Sequence, residues 1–144
     1  MLKIPVLLFI LMFSIGSFGQ DKVEWSVSVE NESSTILVSA VIAEGWHLYS
    51  QYINNKIGPI PTTIEFIPNK NYTLIGRTRE PESLKEYDKN FEGELNFFKD
   101  EVVFEQKFKA SKPAIIDGVI TYMVCNDTMC LPPRDELFTI TFEN

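Results

Sequence analysis

Val23, Trp25, Val27 and Val29 alternate with Glu24, Ser26, Ser28 and Glu30. A period of two places the apolar side chains on one face of an extended strand and the polar ones on the other, which no helix can use. The same grammar runs through most of the chain. Thr35 to Ala43 is β-branched and nearly all apolar, as a central strand requires. Glu44-Gly45 interrupts it, and Trp46 to Tyr49 resumes as a short aromatic strand. Asn54 to Pro61 is rich in Asn, Gly and Pro and reads as a loop. Thr62 to Ile67 is a strand with Ile64 and Phe66 on one face, and Tyr72 to Arg77 is another. Arg79 to Asn90 is charged and reads as a long exposed segment, with one helical turn at Glu82 to Glu86. Leu95 to Phe98, Val102 to Phe108, Val119 to Val124 and Leu137 to Phe142 complete the strands, with Asp117-Gly118 as a turn. About eight or nine short strands joined by regular turns predict an all-β, single-domain, immunoglobulin-like β-sandwich.

The first 20 residues are different. Lys3 is the only charge before Asp21, Ile4 to Phe13 is an apolar run broken by Pro5, and small and polar residues follow. That order predicts a secretory signal peptide over residues 1–19, cleaved after Gly19, with the sandwich domain in 20–144. The alternative, an uncleaved anchor, asks a bilayer span of an apolar run too short for one. After cleavage no membrane span remains. Loss of Lys3 takes the formal charge from −7 to −8. A chain this acidic lacks the basic footprint of a nucleic-acid binder. Export also brings its two cysteines into an oxidising compartment.

Those cysteines form Cys125-Asn126-Asp127-Thr128-Met129-Cys130, a C-x4-C loop followed by Leu131-Pro132-Pro133. Asn-Asp lets the chain bend, and the double proline holds the exit extended. Two readings satisfy this pattern. As a staple, so short a loop adds only about 2 kcal/mol by the chain-entropy account. As an exchange site, a short exposed loop offers a disulfide that other thiols can attack. Two cysteines and the single His47 cannot build a closed thiolate-rich zinc site, although carboxylates could fill in; an exchange domain should need neither metal nor organic cofactor. A Cys–His hydrolase needs the two side chains to meet in space, which spacing leaves open. The rival to exchange is a non-catalytic binding or scaffold sandwich with a structural disulfide.

Tyr122 to Pro133 resembles the cysteine segment of the amino-terminal domain of the thiol:disulfide interchange protein DsbD. Gly45-Trp46-His47-Leu48-Tyr49 is similar to that domain's aromatic strand, and Gly58-Pro59-Ile60-Pro61-Thr62 to its following loop. Asn90-Phe91-Glu92-Gly93 resembles its cap loop. The resemblance spans roughly residues 25 to 142 and implies a periplasmic domain that passes electrons as thiols. Its partners would be thioredoxin-like protein domains, fed by a membrane-embedded thiol reductase. It implies that partners engage Cys130, that Cys125 resolves, that Phe91 shields the pair, and that Asn90, Tyr49 and His47 stand at the site. Three positions depart from the family pattern: the cysteines are one residue closer, Lys89 and Asn90 replace an acidic pair, and His47 replaces a tyrosine. The chain also stops at Asn144, so the resemblance implies an electron donor on a separate protein. Read without the resemblance, Phe91 is a core aromatic, His47 a half-buried strand residue, Met129 an exposed loop residue and Lys85 to Lys89 a solvated surface.

Overall fold

The computed structural model describes residues 21–53, 56, 58–111 and 113–143. The predicted signal segment, Asn54, Asn55, Ile57 and Lys112 lie outside the described residues. Eleven strands follow in order: β1 (Val23–Glu30), β2 (Thr35–Ile42), β3 (His47–Tyr49), β4 (Thr63–Phe66), β5 (Tyr72–Arg79), β6 (Leu84–Asp88), β7 (Gly93–Phe98), β8 (Glu101–Ala110), β9 (Ala114–Tyr122), β10 (Val124–Cys125) and β11 (Arg134–Phe142). They make three sheets, ordered β1-β2-β8-β5, β11-β9-β4 and β10-β3-β7-β6, and every pairing is antiparallel. No helix occurs among the described residues. The all-β, immunoglobulin-like sandwich expected from the sequence is the observed fold class.

The first two sheets enclose the main core. Strand β8 alternates without a break: Val102, Phe104, Gln106 and Phe108 are buried, while Glu101, Val103, Glu105, Lys107 and Lys109 are exposed. Ile36, Val38 and Ala40 of β2 meet Ile116 and Ile120 of β9, with Phe104 near the centre. Trp25 and Trp46 pack against this core from its margin. Gln106 is the one polar side chain among the inward residues of β8. Its amide donates to the carbonyls of Ile75, Gly76 and Lys107 and accepts from Thr78 Oγ1. It thereby satisfies the backbone where β5 slips register between Ile75 and Arg79.

The third sheet carries the cysteines and has a small core of its own. Strand β9 breaks at Met123 and continues as β10, so one continuous segment leaves the sandwich for the side sheet. There Tyr49, Ile53, Leu95, Phe97 and Cys125 cluster, with Phe91, Met123 and Cys130 packed around them.

Four sequence expectations are corrected. The segment Arg79 to Asn90 holds a strand, β6, where a helical turn at Glu82 to Glu86 was expected. Leu84 to Tyr87 are exposed on an edge strand held by backbone pairing to β7, so they carry no apolar alternation to reveal it. Asp117-Gly118 is no turn but the middle of β9. A Cβ on Gly118 would lie 2.2 Å from Phe138 Cζ and 2.6 Å from the Glu65 carbonyl oxygen. The glycine therefore marks close approach of neighbouring strands. The last strand begins at Arg134, three residues before the expected Leu137, and the described residues form eleven strands where eight or nine were expected.

Candidate functional site

Cys125 and Cys130 are bonded to each other, with their Cα atoms 4.0 Å apart. Local chemistry explains how the loop closes. Asn126 Oδ1 accepts from the Thr128 and Met129 amides at 2.9 and 2.8 Å, an Asx turn. The Asn126 amide donates to the Met129 carbonyl and the Leu131 amide to the Val124 carbonyl, both at 2.9 Å, so the loop is a tight hairpin. The two sulfur residues differ in access. Cys125 is fully buried, whereas Cys130 is partly exposed at the rim.

Across the sheet, Cys125 stands directly opposite His47, and Tyr49 stands opposite Phe97. Directly opposed antiparallel residues share a face. His47 and Tyr49, two apart, therefore line the same side as Cys125. The His47 ring lies against Phe97 at 4.6 Å and edge-on to Tyr49 at 5.1 Å.

The loop of the β6–β7 hairpin packs beside the cysteine loop. It spans residues 89–92 and turns through Glu92 in the left-handed region (φ 54°). Asn90 Nδ2 donates to the Asn126 carbonyl at 2.8 Å, tying this loop to the cysteine loop. The Phe91 ring meets Tyr49 edge-on at 6.1 Å and packs on the cluster containing both cysteines. Gly58 lies close against the ring, where a Cβ would sit 2.6 Å from Phe91 Cδ1. That glycine has φ +118°, so its backbone approaches the ring in a conformation that side chains disfavour. Thr62 Oγ1 donates to the Tyr49 carbonyl at 2.6 Å and fixes the end of this second loop on β3.

One central residue escaped the sequence reading. Asp88 sits within the charged run Lys85 to Lys89 that was read as solvated surface, yet it is 4% exposed. Its Oδ2 accepts from Tyr49 Oη at 2.5 Å and from His47 Nε2 at 3.1 Å. Its Oδ1 accepts from the amides of Asn90 and Phe91 at 2.8 and 3.2 Å. One carboxylate thus joins the aromatic strand to the 89–92 loop. Burial alone would raise its pKa, but the four hydrogen bonds outweigh burial and hold it below 3.8. For His47 the balance runs the other way. Burial exceeds the attraction of Asp88, and the imidazole pKa falls below 6.5. Tyr49 is kept protonated, first by burial and then by its bond to Asp88. The sequence did contain a cue for Asp88. An Asp two residues before Asn90, with Gly93 following, is the start of an Asx-type turn.

All the site residues read from the sequence meet here: Cys125, Cys130, Phe91, Asn90, Tyr49 and His47. Met129 is exposed at the loop tip. Among the described residues, no group of three or more His, Cys, Asp and Glu side chains is arranged to hold a metal, and no helix is long and apolar enough to cross a membrane.

The family described as "Thiol:disulfide interchange protein DsbD, N-terminal" matches residues 18–141. The chain belongs to the DsbD N-terminal domain family. Two solved structures show the same fold. The reduced form of the Neisseria meningitidis DsbD N-terminal domain aligns with TM-score 0.62 and 20% identity, covering 85% of this chain and 87% of that one. The complex of the DsbD N-terminal and PilB N-terminal domains from the same organism aligns with TM-score 0.62 and 17% identity, covering 84% and 87%. No curated protein matches the chain. The DsbD-type reading therefore rests on the family match and the site geometry, and the two structures at this identity speak for the fold.

Proposed function

We propose that this DsbD N-terminal-type domain is a periplasmic thiol–disulfide exchange module. It passes reducing equivalents from a membrane-linked thioredoxin-like donor to exported protein acceptors through Cys125 and Cys130. Residues 1–19 act as the export signal. The observation that carries the reading is the asymmetry of the pair: Cys125 is fully buried, whereas Cys130 is partly exposed beside the cluster against which the Phe91 ring also packs.

Exchange needs a thiolate, a disulfide and a line of attack. A donor thiolate attacks Cys130 Sγ, the Cys125–Cys130 bond breaks, and Cys125 leaves as a thiolate that takes a proton. The donor's second thiolate then attacks its own mixed-disulfide sulfur and expels Cys130. The domain is now a dithiol and the donor a disulfide. Toward an acceptor the order reverses. The Cys130 thiolate attacks the acceptor disulfide, and Cys125 attacks Cys130 Sγ, releasing both acceptor thiols and restoring the Cys125–Cys130 bond. The short spacing keeps the resolving sulfur beside its target, so that step is intramolecular. Support for a protein partner comes from the Neisseria relative, which forms a complex with a PilB N-terminal domain.

Cysteine variants test the assignment. Cys125→Ser leaves a lone thiol at the rim, which is expected to attack the single cysteine of a thioredoxin-like domain activated beforehand as its thionitrobenzoate mixed disulfide, expelling thionitrobenzoate and leaving a stable mixed disulfide on Cys130. Cys130→Ser, whose remaining sulfur is buried, is expected to trap none. Equal trapping by both, or trapping by neither, contradicts the reading; intact-mass spectrometry distinguishes these outcomes.

A further inference from the structure

His47 and the cap are bound to the same carboxylate. Asp88 Oδ2 receives His47 Nε2, while Oδ1 receives the amides of Asn90 and Phe91. An ionised carboxylate only accepts, so Nε2 carries the proton of the neutral ring and Nδ1 is the nitrogen left to take a second one. The side chain is 9% exposed, packed on Phe97 and Tyr49, opposite Cys125. The ionisable groups facing it come from every neighbouring element: Asp88 of β6, Tyr49 of β3, Lys99 beyond β7 and Asp127 of the cysteine loop.

We propose that His47 is a positioning residue that makes the cap over Cys130 proton-gated: neutral His47 holds the Asp88-anchored hairpin closed, and protonated His47 favours its lifting. The inference rests on the exchange reading above and adds regulation of the same site. The closed arrangement disfavours a charged ring, because burial removes its water and Asp88 does not fully compensate. Lifting the hairpin lets water reach the ring, so the open state holds the second proton more tightly. Linkage is reciprocal, and acid therefore shifts the hairpin toward open. Each unit by which opening raises the His47 pKa makes opening about tenfold more favourable once the pH is below both values.

The chain has a single histidine, so one imidazole resonance follows the titration without assignment variants. In the oxidised wild type its midpoint is expected below 6.5, and in Phe91→Ala, which removes the cap ring, it is expected to move upward. The same midpoint in both proteins overturns the inference. A second measurement guards against a variant that fails to fold. The rate of disulfide reduction by a small water-soluble phosphine is measured for wild type and His47→Gln from pH 8 to pH 5, and their ratio cancels the reductant's own titration. Glutamine retains a side-chain amide donor and does not titrate. The ratio is expected to rise several-fold toward acid pH; a flat ratio overturns the gate while leaving the exchange reading intact. A wild-type disulfide that resists the phosphine at every pH contradicts the exchange reading, and the gate with it.

Discussion

Asp88→Ala is expected to destabilise the domain by about 3 kcal/mol and to expose the disulfide to reductants. The magnitude follows from the donors it would strand. Tyr49 Oη, His47 Nε2 and the amides of Asn90 and Phe91 all lose their acceptor at once. A buried donor left unsatisfied costs about 1–3 kcal/mol. His47 Nε2–H can instead donate to Tyr49 Oη, 3.1 Å away, which recovers part of the loss. Asp88→Asn should fall between wild type and alanine, because its oxygen serves one side while its NH2 group faces donors on the other. Urea unfolding gives the stability change, and the phosphine rate gives the exposure. The pH profile provides an independent check. Asp88 has a folded pKa depressed below 3.8, so its contribution is present above that value and lost as pH falls through the folded one. His47 has a folded pKa depressed below 6.5, and its burial costs stability progressively as pH falls from that value through the folded one. Wild type should lose stability in both acid windows, and Asp88→Ala should lack the lower one.

Gly58→Ala is expected to raise the phosphine rate about tenfold, the effect of about 1.4 kcal/mol lost from cap closure. The added methyl would fall 2.6 Å from Phe91 Cδ1 and 3.0 Å from Cε1, so the ring has to move. The backbone at φ +118° adds strain of about 1–3 kcal/mol for a residue with a Cβ. Phe91→Ala should accelerate reduction by a similar factor, since it removes the ring that Gly58 holds down. If both act on the same cover, the double variant reduces no faster than the quicker single one. Additive effects on the logarithm of the rate would mean that Gly58 acts elsewhere.

The sandwich was legible because its strands bury one face and show it as alternation. Strand β8 is the clearest case, with a buried residue at every second position from Val102 to Phe108. Strand β6 was illegible for the opposite reason. It is an edge strand with four consecutive exposed residues, so its backbone pairing left no trace in side-chain pattern. Gly118 misled because a glycine required by the nearby Phe138 ring and Glu65 carbonyl looks in sequence like a turn glycine beside Asp117. At the site, Cys125 and Cys130 were visible from spacing, and His47, Tyr49, Asn90 and Phe91 from family resemblance. Asp88 was hidden by its charged neighbours. Burial of one carboxylate within a solvated run depends on the β6–β7 hairpin pairing beside β3, so that Tyr49 and His47 reach Asp88, which is a tertiary event.

The equilibrium of the oxidised domain with glutathione tests the central claim most directly. An exchangeable rim disulfide equilibrates with reduced and oxidised glutathione at a midpoint above about −300 mV, and mixed glutathione adducts form on Cys130. A bond that stays oxidised well below that potential and forms no adduct would mean that the sulfurs only brace the loop.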